Sequence, residues 1–298
     1  TVSINGKLFV AGRTAQDRLH VRDAGTSTVR RTGLTEPAAP TGADEGAGTY
    51  ATVRYFRIRY ITRNGTTIIN RSEPSDVLTF TPSGTGAGTR VTKPAAINEG
   101  ETHWELEGST TNVLFYLVST IAVGTTTYDD ETAFATGYSG GTLSHSVGAY
   151  LLQPSAKYLV VDGDRLIGCG HWTDTAKQSQ IWWTPVYNDP GVGNDERLPI
   201  VTTGGVSITS TTNVDNYDGG PITGAAASSF GTWYAFKWMG IYKMIRTGDN
   251  TRAYDVITIS KRCGAIPGSM VRGVDENGAS VIYYLDPLFG PSRIGPGG

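Results

Sequence analysis

Hydrophobic and polar residues alternate with a period of two along much of the chain, which predicts an all-β protein. The pattern is clearest where Phe56, Ile58 and Tyr60 fall on one face of a strand, with Arg57 and Arg59 on the opposite face. Such alternation is typical of a half-buried strand. Few stretches place Leu, Ala, Glu and Lys at a helical period, so we expect strands and turns throughout.

Residues 43–140 carry about seven such short strands, with turn signals every 8–12 residues or so. One hairpin is marked by Asn64-Gly65, a dipeptide that favours the tight turns of β-hairpins. This spacing predicts an immunoglobulin-like or fibronectin type III-like β-sandwich.

The segment before the sandwich divides into two parts. Residues 1–34 hold two short strands, at Leu8–Val10 and Arg18–Val21, which are too few to form a domain and must pair with a later part of the chain or with a neighbour. Residues 35–42 are rich in proline and small side chains and are predicted to be a linker.

Residues 150–298 contain a loose repeat. Pro154, Pro221 and Pro267 each precede a strand–turn–strand core of apolar residues. A supersecondary unit that recurs in this way predicts the four-stranded blades of a β-propeller. The strands of residues 1–34 are assigned to the same propeller, and they would close its ring if they paired with the last blade.

Composition agrees with this fold class and excludes some functions. Charged residues make up 17% of the chain, and its 39 glycines favour strands joined by tight turns. The net charge of −2 gives no global basic field to recruit nucleic acid. No run of about 18 apolar residues occurs, so no membrane-spanning helix is expected.

The order of these segments resembles that of the tail nozzle or hub proteins of short-tailed bacteriophages. In that family a β-propeller is interrupted by a fibronectin type III-like domain. Thr32–Pro37 resembles the passage out of the first blade, Tyr55–Pro74 and His103–Asp130 resemble the two halves of the inserted sandwich, and Gln153–Gly168 resembles the return into the propeller.

The resemblance implies an all-β fold in which a β-propeller-like domain, complete or incomplete, carries an inserted sandwich. It further implies a non-enzymatic virion protein without a cofactor, which assembles with copies of itself into a ring, most plausibly a hexamer, around the genome-ejection channel. Its partners would be other tail proteins, such as the adaptor and fibres, and the genomic DNA during its passage. The alternative is a glycan- or receptor-binding module of a phage tail or a secreted adhesin.

Four arginines on one hairpin are the candidate contact residues. Arg54, Arg57, Arg59 and Arg63 would line a DNA channel or contact another subunit. The favoured interpretation is simpler: they form the solvent face of a strand, or they pair with carboxylates of a neighbouring subunit.

Tryptophans and carboxylates offer two weaker hypotheses. Four tryptophans would form either a sugar-stacking platform or, as we favour, the core between blades: Trp182, Trp183, Trp233 and Trp238. Two acidic groups would suit glycoside hydrolysis if they faced a cleft, although turn chemistry explains the second: Asp129-Asp130-Glu131 and Asp162-Gly163-Asp164. The nucleophile-elbow, phosphate-loop and His-Glu-x-x-His motifs are absent.

Metal and thiol chemistry has little support. Cys169 and His171 would supply two zinc ligands where about four are needed. The segment Asn213–Gly219 is acidic but departs from the spacing of a helix–loop–helix calcium site, so a plain loop is favoured. Cys169 and Cys263 are interpreted as buried free thiols, with a single bridge between blades as the alternative.

Overall fold

The computed structural model consists of β-strands, turns and loops. It describes residues 1–12, 18–83, 87–132, 137–172, 174–186, 193, 195–198, 202–203, 206–207, 211–215, 220–228, 232–248 and 253–295. These residues hold 25 strands, no α-helix and one 3-10 turn at Thr175–Lys177. The all-β prediction is therefore confirmed.

The chain divides into two compact units. One unit, here called the interrupted unit, comprises Thr1–Thr32 and Leu152–Gly298, and the other, the inserted unit, comprises Gly33–Leu151. Residues 35–42, which the sequence predicts to be a linker, lie in the inserted unit. The Thr35 backbone N–H donates a 2.8 Å hydrogen bond to Glu99 there, and a strand begins at Thr41.

The first 32 residues form an antiparallel sheet of their own. Its strands pair in chain order: β1 (Val2–Ile4), β2 (Lys7–Val10), β3 (His20–Arg22) and β4 (Val29–Arg31). The expectation of two strands that pair elsewhere is thus wrong. Asn5 and Gly6 have positive φ angles of 51° and 75°, which suit the tight β1–β2 hairpin, so the segment completes its own ladder locally.

The inserted unit consists of two antiparallel sheets. Its strands are β5 (Thr41–Asp44), β6 (Arg54–Asn64), β7 (Thr67–Arg71), β8 (Leu78–Phe80), β9 (Thr89–Thr92), β10 (His103–Ser109), β11 (Tyr116–Ala122) and β12 (Thr127–Asp130). One sheet has the order β11-β10-β6-β7, with β8 also paired to β6, and the other has the order β12-β9-β5. Phe56, Ile58 and Tyr60 pack with Trp104 of the same sheet and Val91 of the other, as their alternation predicts.

The remaining described strands belong to the interrupted unit. Its second sheet contains β13 (Tyr158–Asp162), β14 (Arg165–Cys169), β15 (Gln180–Trp183) and β18 (Thr211–Asn213), and a separate pair contains β16 (Thr202–Thr203) and β17 (Val206–Ser207). The third sheet contains β19 (Ile222–Ala227), β20 (Thr232–Lys237), β21 (Gly240–Arg246) and β22 (Tyr254–Ser260). The fourth contains β23 (Val271–Val274), β24 (Ser280–Asp286) and β25 (Gly290–Ile294).

The four larger sheets of the interrupted unit share hydrophobic cores in chain order, first with second, second with third and third with fourth. Representative pairs within these cores are Phe9 with Leu166, Trp183 with Tyr254 (ring centroids 5.4 Å apart) and Phe236 with Tyr284 (5.1 Å). No described sheet closes on itself. The described strands of the first sheet do not hydrogen-bond to the fourth, so the pairing proposed for ring closure is not formed.

Gly264 makes a close backbone approach between the third and fourth sheets, and its substitution gives a first prediction. A β carbon there would overlap the carbonyl oxygens of Lys237 and Trp238. We expect Gly264→Ala to lower the free energy of unfolding by about 2–3 kcal/mol, because backbone must move to accommodate the methyl group. Denaturant titration followed by tryptophan fluorescence measures this. Gly220→Ala is the control, since a β carbon at Gly220 meets nothing within 4 Å; an equal loss in both variants would contradict the argument.

Candidate functional site

The arginine-rich face of β6 is buried in the inserted unit. Arg59 Nε lies 2.8 Å from one carboxylate oxygen of Glu107, and Arg57 Nε donates to the other. Arg59 also donates to the carbonyl oxygens of Ser72 at 3.0 Å and His145 at 2.7 Å. One fully desolvated carboxylate therefore balances two guanidinium groups inside the chain.

A second buried ion pair extends this face. Arg71 makes a bidentate contact to Glu105, with both N–O distances at 2.8 Å. Burial alone would lower the pKa of Arg71, but the Glu105 carboxylate outweighs it and raises the pKa above its ordinary value. The Tyr150 ring lies against both Arg59 and Arg71, with its centroid 5.7 and 5.9 Å from their guanidinium carbons.

Arg54 occupies a separate buried cluster. Its guanidinium carbon lies 4.2 Å from the centroid of the Tyr50 ring and 5.1 Å from that of Tyr138. Both phenols donate to Asp130, at 2.8 and 2.6 Å, and burial raises the pKa of each well above its ordinary value. The Nη2 atom of Arg54 donates to the carbonyl oxygen of Thr132 at 3.1 Å. The arrangement is a packed cation with neutral tyrosines around it.

Three of the four candidate arginines are therefore buried, and the expectation of a solvent-facing row is wrong. Only Arg63 remains partly exposed. The alternation correctly separates the two faces of β6, but residues 143–150 cover the polar face. This segment is held in place by hydrogen bonds from the Ser144 backbone to Phe115 O at 2.8 Å and from the Gly148 backbone to Glu73. The sequence did hold a signal, because Glu105 and Glu107, spaced by two, pair in register with the arginines spaced by two on β6.

The interrupted unit has its own buried ionic network, which the sequence did not single out. Glu196 is fully buried and accepts hydrogen bonds from Arg30 at 2.6 and 2.7 Å and from Lys7 at 2.7 Å. Burial would raise the pKa of Glu196, but the two cations lower it to about 2. Asp195 lies 2.9 Å from Lys7, and burial raises its pKa above the ordinary value. Asp23 completes the network with a bidentate contact to Arg30.

The acidic groups considered for hydrolysis are engaged by neighbouring side chains. Asp162 is buried and accepts from Arg246 Nε at 2.7 Å and Tyr254 Oη at 2.8 Å, while the partly exposed Asp164 lies 3.3 Å from the same arginine. Asp129 pairs with Arg90 on the surface, at 2.6 Å. These contacts neutralise charge and fix side chains, and they do not present an acid–base pair across a cleft.

The metal and thiol candidates stay apart. Within the described ranges, no three His, Cys, Asp or Glu side chains come together in a way that could hold a metal ion. Residues 216–219 of the suspected calcium loop lie outside the described residues, and Asp215 forms a 2.8 Å ion pair with Lys261. Cys169 and Cys263 are free thiols, as expected; Cys169 is fully buried, which raises its pKa, and Cys263 is partly buried.

The tryptophans are divided between core and surface. Trp182, Trp183 and Trp233 are buried between sheets, which confirms the core interpretation for them. Trp238 is half exposed, in the turn between β20 and β21. A sugar platform of four tryptophans is thus excluded by the burial of three.

No protein-family model matches the chain, and no curated protein shows significant similarity to it. Among the described residues there is also no helix of the length and apolarity needed to span a bilayer.

Proposed function

We propose that the chain is a structural protomer of a bacteriophage tail, in the nozzle or hub ring around the genome-ejection channel. The observation that carries this proposal is the order of its parts. A two-sheet unit interrupts a longer unit directly after that unit's first four-stranded sheet. The nozzle family inserts a fibronectin type III-like domain into a propeller in this same order. The proposal therefore rests on a similarity of architecture.

The finer architecture belongs to the same proposal. The first three large sheets of the interrupted unit are four-stranded, all four are antiparallel with neighbours paired in chain order, and each packs on the next. Propeller blades have this construction, and we assign the sheets to that architecture. The inserted unit, with its core between two antiparallel sheets, is assigned to the fibronectin type III-like sandwiches.

The proposed mechanism is mechanical. The described buried cations of both units contact carboxylates, tyrosine rings or carbonyl oxygens of the same chain. Arg54, Arg57 and Arg59 are thereby directed inward, so we remove them from the DNA-channel role and retain Arg63 as a candidate contact residue. The chain carries a net charge of −2. A channel built from such subunits would let the DNA polyanion pass through without binding it tightly.

The number of copies in solution tests the ring. Sedimentation equilibrium of the full chain at micromolar concentrations is expected to give a mass near six times the 31.7 kDa of one chain. Adaptor and fibre proteins of the same virion would then be the partners above and below the ring. A monomer at every concentration would count against the proposal.

One observation favours the alternative, a recognition module at the host surface. Trp238 and Phe289 are exposed in hairpin turns of neighbouring sheets, where aromatic rings would be available to a glycan. A glycan array tests this function: binding that Trp238→Ser abolishes would support it, and an array without signal would oppose it.

A further inference from the structure

Two hairpin turns at one end of the interrupted unit expose large apolar side chains. Trp238 and Met239, between β20 and β21, are 50% and 46% exposed; Leu288 and Phe289, between β24 and β25, are 61% and 67% exposed. We call these four residues the apolar tip. Single exposed apolar residues are common on protein surfaces, but a contiguous group marks a contact surface.

The two turns are held side by side. The Ala265 backbone donates to Lys237 O at 2.9 Å, next to the first turn, and the Gly264 backbone donates to Asp286 at 2.8 Å. Asp286 is buried, and its other carboxylate oxygen accepts from the backbones of Leu288 and Phe289 at 2.8 and 2.9 Å. Phe236 precedes the first turn by two residues and Tyr284 precedes the second by three, and their rings are in contact. The tip is therefore a fixed surface whose backbone donors are partly satisfied from within.

Among the described residues, two exposed cations lie beside the tip. Ser260 pairs with Ile241, which places Lys261 and Arg262 at the same end of the sheet as Trp238. Both cations are exposed, whereas the neighbouring carboxylates are largely or fully buried: Asp215 against Lys261, and Asp286 beneath the second turn. Arg262 is thus an exposed cation beside the apolar tip, and the Lys261–Asp215 ion pair lies next to it.

We propose that the apolar tip inserts into the interface of a lipid bilayer that contains anionic headgroups. Tryptophan, phenylalanine and leucine are the side chains that anchor proteins at this depth, and adjacent lysine and arginine contact anionic lipid. The Leu288 and Phe289 backbone donors, which Asp286 already binds, suit shallow insertion, because unpaired polar groups are costly in hydrocarbon. The inference goes beyond the structural role proposed above and does not depend on ring formation.

Vesicle partition of the full chain tests the proposal. We expect the chain to co-sediment with phosphatidylcholine vesicles that contain about one quarter phosphatidylglycerol, and less with phosphatidylcholine alone. Brominated lipids should quench the fluorescence of the half-exposed Trp238. Phe289→Ser is expected to weaken partition at least about tenfold, because a large apolar side chain no longer leaves water. Arg262→Gln should weaken binding to the anionic vesicles only.

Val113→Ser is the matched control, since Val113 is an apolar residue in a loop of the inserted unit and is at least as exposed as Phe289. Its partition should equal that of the unmodified chain, and circular dichroism should report the same fold for each variant. The proposal would be overturned if the unmodified chain bound to neither kind of vesicle. It would also be overturned if Phe289→Ser partitioned as strongly as the unmodified chain. Self-association without lipid that Phe289→Ser abolishes would also overturn it, by assigning the tip to a second copy.

Discussion

Glu107→Ala is expected to lower the free energy of unfolding of the inserted unit by about 3–5 kcal/mol. The variant removes the carboxylate that Arg57 and Arg59 share and leaves two buried guanidinium groups without their counter-charge. Desolvation of those cations would no longer be offset, and the cost of an unpaired buried charge is large. Denaturant unfolding of the full chain, with near-ultraviolet circular dichroism of the aromatic core, measures the loss.

Asp129→Ala is the matched control for Glu107→Ala. It also removes a carboxylate that contacts an arginine between paired strands, but Arg90 and Asp129 are on the surface. Water screens exposed ion pairs and they contribute little to stability, so the control should unfold almost as the unmodified chain does. Similar losses in the two variants would show that burial of the β6 arginines does not carry the stability we assign to it.

Glu196→Gln is expected to lower the stability of the interrupted unit by about 3–5 kcal/mol. The substitution keeps the shape of the side chain but removes the negative charge that Lys7 and Arg30 share in the core. Asp195→Asn is the control. Burial raises the pKa of Asp195, and its second oxygen has no hydrogen bond to any described residue, so its charge is poorly stabilised and its neutralisation should cost little.

The same network sets a pH dependence. The pKa of Glu196 is lowered from 4.5 to about 2, so its contribution to stability is present above pH 4.5 and is lost as the pH falls towards 2. Asp195 acts in the opposite sense, because its raised pKa favours protonation in the folded state. The stability difference between the unmodified chain and Glu196→Gln should therefore shrink through this acidic range. A difference that stayed constant down to pH 2 would contradict the assigned charge state.

The sequence predicted which residues form strands better than it predicted which parts of the chain pack against those strands. Alternation placed Phe56, Ile58 and Tyr60 in a core correctly, since side-chain direction in a strand is a local property. It could not show that the opposite face is covered, because the carbonyl oxygen that binds Arg59 belongs to His145, 86 residues later. Only two of the four strands of the first sheet were predicted, for a related reason: these strands are three or four residues long, too short for a clear periodic signal.

The surface candidates show the same limit. Trp233 and Trp238 are only five residues apart, but one lies within β20, against the second sheet, and the other in the following turn. Their different exposure depends on where the strand ends, and sequence patterns locate strand ends poorly. The Glu196 network was not foreseen because Lys7 and Arg30 reach a segment more than 160 residues away.

Single-particle imaging of the purified full chain tests the central claim most directly. We expect closed rings of identical subunits around an open channel wide enough for a DNA duplex, with each subunit divided into a larger unit and a smaller inserted one. Isolated single chains, or a compact assembly without a central channel, would contradict the assignment of this chain to the tail ring.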